Sequence, residues 1–339
     1  MQVRIAFFDT RRYDRESFDE ASTRHHHELV YFEARLVRDT AALARGFTVI
    51  CCFVNDRLDA SALEVLAGGG TRLLALRSAG YHNVDLVAAE RLAIAVARVP
   101  EYSPHAVAEH AVLLVLALDR KLHRAHARVR EGNFSLEGLV GFDVHDKTIG
   151  IVETGRIGRC AARIFSGFGC RVLVHDLSED AELARGNMAR YVTLDELYAG
   201  ADIVSLHVPL TPATHHMIDS AALARMKRGV MLVNTSRGAP VDSRALVDGL
   251  KSGHIGSSGL DVYEEEEGIF FRDLSDRVLQ DDVLARLLTF PNVLVTAHQA
   301  FLTREALAAI AAVTLENVSA FEQTGEPIHR VHARNVLAS

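Results

Sequence analysis

A basic excess, long apolar runs and paired cysteines are all missing from this sequence. Of its 339 residues, 37 are lysine or arginine and 44 are aspartate or glutamate, giving a net charge of −7 spread along the chain. Nucleic acid is bound through a basic footprint, so it is not an expected partner. No uninterrupted apolar run is longer than residues 111–118, far short of a bilayer's thickness, so no membrane partner is expected either. Arg11 and Arg12 are not followed by the apolar stretch of an export signal, and a cytoplasmic location is the expectation. The four cysteines, Cys51, Cys52, Cys160 and Cys170, form no C-x-x-C pair. Reduced thiols packed in cores are expected, with neither disulfide nor metal. The triplet His25–His27 precedes a strand-like run and reads as an exposed turn, weak metal binding being the alternative.

Hydrophobic residues make up 49% and charged residues 24%, as in an ordinary globular protein, and the length suits two domains. In the first hundred residues, apolar strands at 3–8, 29–32, 47–54, 72–77 and 93–99 alternate with helical segments at 14–21, 40–44, 61–67 and 83–89. Strands apolar on both faces imply a parallel sheet covered by helices on each side. This half has no glycine-rich phosphate turn. Only 7 prolines occur, and two of them, Pro100 and Pro104, fall within five residues of each other. They stop a strand and start a helix, with Ser103 as N-cap, that reads through residues 107–129 as one long, largely apolar element. Such a helix must be buried on more than one side, by crossing between domains, by packing against a second subunit or as an ordinary core helix.

From Lys147 the alternation resumes, with strands at 148–152, 171–175, 203–207, 230–234, 257–262 and 293–296. Helices fall at 194–198, 220–226 and 243–251, and a last one spans 303–321. The first βαβ unit, KTIGIVETGRIGRCAARIFSGFGCRVLVHD, has the order of a dinucleotide site. Gly155 lets the backbone approach a pyrophosphate, Gly158 lets the helix pack on its strand, and Arg156 and Ile157 lie at the helix N-terminus, whose amides favour anions. Asp176, ending the second strand, can accept from both ribose hydroxyls and would repel a 2′-phosphate, so NAD is favoured over NADP. The first glycine of G-x-G-x-x-G is replaced by Glu153.

Three later strands end in functional side chains: Arg237 after residues 230–234, the acids 264–267 after 257–262, and His298 after 293–296. Ligands of doubly wound sheets bind at this carboxyl edge. Together the groups suit hydride transfer to a carbonyl. A histidine can protonate the forming alkoxide, a neighbouring glutamate favours the imidazolium, and an arginine offers a forked donor to a carboxylate beside the carbonyl.

Six longer segments carry a resemblance: RSAGYHNVDL, YSPHAVAEHA, REGNFSLEGLVGFD, VNTSRG, GLDVYEEEEGIFF and QDDVLARLLTFPNVLVTAHQAFLTREAL. Over nearly the whole chain the sequence resembles the D-2-hydroxyacid dehydrogenase family, closest to its D-lactate dehydrogenase branch. The resemblance implies a Rossmann NAD-binding domain, residues 103–299, inserted in a discontinuous flavodoxin-like α/β substrate domain, residues 1–102 and 300–339. It also implies an NAD-dependent oxidoreductase that reduces a small 2-keto acid, pyruvate foremost, to the D-hydroxy acid. By position, Arg237 would bind the substrate carboxylate, His298 would be the acid in reduction and base in oxidation, and Glu266 its partner. Glu266 is chosen among the four acids by the family's spacing of five from Asp261, which would help hold the nicotinamide end. Amides around Ser78, Ala79 and Gly80 would take the substrate carboxylate with Tyr102, and Phe301 would close the pocket. The family is typically dimeric, which implies a homodimer and an interface near the helix after Pro104.

Within the resemblance, Glu101, Asp146, Glu153 and Pro240 are unusual. Glu153 matters most. Backbone strain there would cost roughly 1–3 kcal/mol. A carboxylate about 4 Å from the pyrophosphate would add repulsion on the order of 4 kcal/mol at a dielectric near 20, whereas one turned to solvent or to Arg156 would cost little. A fold retained without turnover, as a dinucleotide sensor or scaffold, is the second reading, and Glu153 is the feature that favours it.

Overall fold

Apolar strands separated by helices fold here into two sheets, in a computed structural model that describes residues 3–185 and 188–334. The chain divides into two compact units, one running to Ser103 and resuming at Leu302, the other Pro104–Phe301.

The first unit opens with β1 (Arg4–Phe7), β2 (Glu28–Tyr31), β3 (Val49–Cys52), β4 (Leu73–Leu76) and β5 (Ala95–Ala97). They lie parallel in the order β2-β1-β3-β4-β5, the doubly wound order of flavodoxin-like sheets. β3 and β4 are buried along their whole length, as their unbroken apolar runs require. Arg77, which ends the β4 run, is itself buried. Its guanidinium lies 3.3 Å from Asp14, donates to the carbonyls of Phe8 and Asp9 at 2.9 and 2.8 Å, and covers the Phe53 ring. A buried charge persists only when paired and bonded in this way.

The second unit contains β6 (Thr148–Val152), β7 (Arg171–His175), β8 (Arg190–Tyr191), β9 (Ile203–Leu206), β10 (Val230–Asn234), β11 (Ile255–Leu260) and β12 (Val293–Val295). All are parallel, in the order β8-β7-β6-β9-β10-β11-β12. Alternate side chains feed two cores. Ile149, Ile151, Ile203, Met231 and Val233 belong to one, while Val152, Val204, Leu206, Val230 and Leu232 belong to the other. The strand order reverses between β6 and β9, the switch point where such sheets bind ligands. The chain ends with helix Arg304–Thr324 and β13 (Arg330–Val331), which pairs antiparallel with β5 in the first unit.

Three sequence expectations change. The helix read through residue 129 is two helices, Pro104–Asp119 and Leu122–Arg130, separated by a left-handed Lys121 at φ 49°. The cause is tertiary. Asp119 is buried and accepts from the Phe142 amide at 2.6 Å, while the Lys121 ammonium bonds the Val140 carbonyl, so residues 140–142 cross the helix end. The first helix buries ten of its sixteen residues, and the second buries none. Among the described residues the nucleotide-type sheet has seven strands where six are expected, because β8 spans only two residues. Finally, His25–His27 is not simply an exposed turn. His27 is buried, and His25 Nδ1 and His27 Nε2 each lie 3.0 Å from the Ser319 hydroxyl. All four cysteines are free thiols; Cys51 and Cys52 are buried, while Cys160 and Cys170 are half-buried.

Candidate active site

The turn after β6 is built on close backbone approach. Gly155 is the N-cap of helix Arg156–Gly167. A Cβ at Gly158 would sit 2.0 Å from the Glu153 carbonyl oxygen, so only glycine lets this helix begin against its strand. Glu153 occupies the first-glycine position at φ 72°, the left-handed region that glycine enters without penalty. Asp146, before Lys147, is left-handed too, at φ 63°. Of the costs foreseen for Glu153, the backbone one is therefore present. Its half-buried carboxyl is pushed up to about 7, by burial first and by the Asp176 charge second.

Asp176 ends β7 as expected and is heavily bonded. Its carboxylate accepts from the Thr154 amide at 2.6 Å, the Thr154 hydroxyl at 2.8 Å and the Ser178 amide at 3.0 Å. Burial alone would raise this group, but the Ser178 and Thr154 donors outweigh it and hold it below the usual carboxylate range. Tyr191, on the unforeseen β8, joins the cluster 3.0 Å from the Thr154 hydroxyl. Arg156 and Ile157 open the helix. A left-handed turn, a helix start lacking room for a Cβ and an ionised strand-end carboxylate fit an adenine dinucleotide. Glu153 is the one group in the turn that opposes its charge.

At the other strand ends, β10, β11 and β12 deliver Arg237, Glu266 and His298. Asn234 holds the Arg237 turn, donating to the Arg237 carbonyl at 2.6 Å and accepting from the Ser236 amide and hydroxyl at 3.0 and 2.8 Å. A Cβ on Gly238 would lie 2.1 Å from the Tyr263 carbonyl, so this turn rests directly on the segment leading to Glu266. The half-buried Arg237 guanidinium donates to the Ser236 carbonyl at 2.6 Å and pairs with no carboxylate among the described residues.

His298 Nδ1 lies 2.8 Å from Glu266 Oε1, and Glu266 Oε2 accepts from the Tyr263 amide at 3.1 Å. Ala297 and His298 are both left-handed, at φ 52° and 60°. The backbone is held there by Asp261, whose carbonyl accepts from the His298 amide at 2.5 Å and whose carboxylate accepts from the Gln299 and Ala300 amides at 2.8 and 3.0 Å. Thr296 adds its hydroxyl at 2.6 Å, and His110 lies 3.4 Å away. Burial would raise Asp261, but His110, Thr296 and the Ala300 amide outweigh it and hold the carboxyl low. Asp261, which the resemblance assigns to the nicotinamide end, has no exposed surface, and its bonds fix the segment that carries His298. Neither His110 nor Thr154 had been singled out from the sequence, since both act through contacts more than twenty residues away.

In the first unit, Ser78, Ala79 and Gly80 follow β4. The Ser78 hydroxyl donates to the Gly80 carbonyl at 2.8 Å, and Arg98 donates to the Ala79 carbonyl at 3.0 Å. Tyr102, partly exposed, precedes helix Pro104–Asp119, and Phe301, also partly exposed, ends the second unit.

The family model for the D-isomer-specific 2-hydroxyacid dehydrogenase NAD-binding domain matches residues 112–300. A 2-hydroxyacid dehydrogenase homolog of Schizosaccharomyces pombe is 51% identical over 327 residues, covering 96% of this chain and 98% of that protein. D-lactate dehydrogenase of Escherichia coli is 47% identical, covering 95% and 97%. The solved structure of the pyruvate reductase of Chlamydomonas reinhardtii superposes with a TM-score of 0.92 at 44% identity, covering 96% and 98% of the two chains. With the turn, the sheet order and these likenesses together, the chain belongs to the NAD-dependent, D-isomer-specific 2-hydroxyacid dehydrogenases.

Proposed function

We propose that this dehydrogenase reduces a small 2-keto acid, pyruvate foremost, to the D-hydroxy acid. NADH supplies the hydride when bound; the chain's own residues place the substrate and deliver the proton. Arg237 binds the substrate carboxylate and polarises the keto oxygen, helped by the amides of Ser78, Ala79 and Gly80 and by Tyr102. His298 donates from Nε2 while Glu266 holds Nδ1, which fixes the ring's tautomer and orientation. Phe301 closes the pocket around a small side chain. Gly155, Arg156, Ile157, Gly158 and Asp176 hold the dinucleotide.

The observation that carries this reading is the His298–Glu266 bond of 2.8 Å, together with an Arg237 that pairs with no carboxylate among the described residues. The similarity to proteins named D-lactate dehydrogenase and pyruvate reductase supports the choice of pyruvate. Following NADH oxidation with pyruvate tests it. Inactivity with pyruvate, phenylpyruvate, glyoxylate and hydroxypyruvate alike would overturn it.

The assembly we assign is a homodimer. Helix Leu122–Arg130 buries no residue, and Phe134, Leu136 and Val140 beyond it are 74%, 79% and 85% exposed. Apolar side chains this exposed and this clustered suit an interface.

A further inference from the structure

Beyond the dehydrogenase chemistry, we propose that His215, His216 and Glu264 form a binding site for a divalent transition-metal ion of the Zn2+ class. Their three ligand atoms all lie within 4.8 Å of one another. The imidazole rings stack with centroids 4.1 Å apart, and His216 Nε2 bonds Glu264 Oε1. A tetrahedral ion with bonds of about 2.0–2.1 Å needs its ligand atoms roughly 3.3 Å apart, a change from their present spacing on the scale of side-chain rotation.

The donor set decides the ion. Two imidazoles and one carboxylate suit Zn2+ and its neighbours in the transition series, whereas Mg2+ and Ca2+ take oxygen ligands. Three protein ligands on a partly exposed loop leave the remaining position to water.

The loop is shaped for this placement. His216 sits in the left-handed region at φ 51°, and its amide donates to the Ala239 carbonyl at 2.8 Å. Thr214 closes the turn, accepting from the Thr211 amide at 2.8 Å and donating to the Pro209 carbonyl at 2.6 Å. On the other side, Glu264 Oε2 accepts from the Ser243 amide at 3.4 Å, which leaves Oε1 turned toward the histidine. An ion here would replace the bond between His216 and Glu264 and tie the loop after β9 to the segment that carries Glu266, two residues on. Sequence spacing does not reveal this grouping. His215 and His216 lie 49 and 48 residues before Glu264, without metal-ligand spacing.

The test uses the full-length protein stripped with a chelator and titrated with Co2+ as a spectroscopic stand-in for Zn2+. We expect one equivalent to give visible d–d bands that Zn2+ abolishes. Both His215→Ala and Glu264→Gln should weaken binding at least about tenfold. His215 is exposed, so His215→Ala should melt like the parent without metal. Replacing His25, which with His27 brackets Ser319 in the other unit, should leave the bands unchanged. The proposal is overturned if the parent shows no such bands, or if His215→Ala keeps the parent's affinity and spectrum. The readout is independent of activity, so failure of the pyruvate assay would not be mistaken for failure here.

Discussion

The carboxylate of Asp261 accepts the backbone amides of Gln299 and Ala300, so a residue with no exposed surface sets the position of His298. Replacing Asp261 with Asn should therefore act on stability and on turnover together. An Asn keeps one acceptor but turns an amide donor toward backbone donors or the His110–Thr296 pair. A loss of about 2–4 kcal/mol is expected for breaking a buried, charged cluster of this kind. Denaturant unfolding should show that loss, and kcat should fall with little change in NADH affinity. Because the carboxyl is held below its ordinary value, its contribution is present at neutral pH and is lost as pH falls through the lowered folded value. The gap between parent and Asp261→Asn should accordingly narrow in acid. A constant gap from pH 7 to pH 3 would remove Asp261 as its cause.

Exchange at His298 itself should separate chemistry from binding. His298→Ala removes the proton donor, for which general-acid catalysis supplies about 10²–10⁴-fold. Turnover with pyruvate should drop by that order while NADH still binds, since the residues assigned to the dinucleotide lie around Gly155 and Asp176. Glu266→Gln should lose less, because the ring keeps a hydrogen-bond acceptor. Stopped-flow NADH oxidation beside fluorescence titration of NADH decides it. A His298→Ala protein that reduces pyruvate at the parent's rate would end the assignment.

The parts of this site legible in the sequence are those set by local order. Strand, glycine turn, helix and strand-end Asp176 follow one another within thirty residues, and each has its own composition. The ends of β10, β11 and β12 could be read in the same way, so Arg237 and His298 stand out without a structure. What stayed hidden depends on contacts across the fold. Asp119 reads as one polar residue on an apolar helix, and only the approach of Phe142 makes it a terminus. Two-residue strands such as β8 and β13 have no period to detect. Asp261 was legible as a strand end, but its burial and its task were not, because the Thr296, Gln299 and Ala300 donors lie over thirty residues further on.

The proposed homodimer can be broken from one short stretch. Leu136→Asp places a charge at a side chain that is 79% exposed in the single chain, where a monomer would tolerate it. At an interface it would desolvate an unpaired carboxylate, which costs several kcal/mol. Sedimentation velocity should show the parent as a dimer and Leu136→Asp shifted to monomer at micromolar concentration. A parent that sediments as a monomer would refute the assembly.

Glu153 offers the most distinctive pH dependence. Its carboxyl is pushed up to about 7, so the folded protein binds this proton more tightly than the unfolded chain. The stabilisation from that proton is complete below the group's ordinary value and is lost as pH rises through about 7. Half-exposed, the group is screened by solvent, and about 1–2 kcal/mol is a fair ceiling. Glu153→Gln should therefore melt close to the parent at pH 5 and higher than it at pH 8. Glu153→Gly should also gain from relief of the left-handed backbone, roughly 1 kcal/mol at either pH. Cofactor affinity follows the same proton. An ionised Glu153 beside Asp176 adds a second negative charge at the turn, so NADH should bind the parent more weakly at pH 8 than at pH 6, by about tenfold for each 1.4 kcal/mol. In Glu153→Gln that pH dependence should flatten. Calorimetric titration of both proteins at the two pH values decides the point, and parallel pH profiles would show that the carboxyl at residue 153 has no hold on the cofactor.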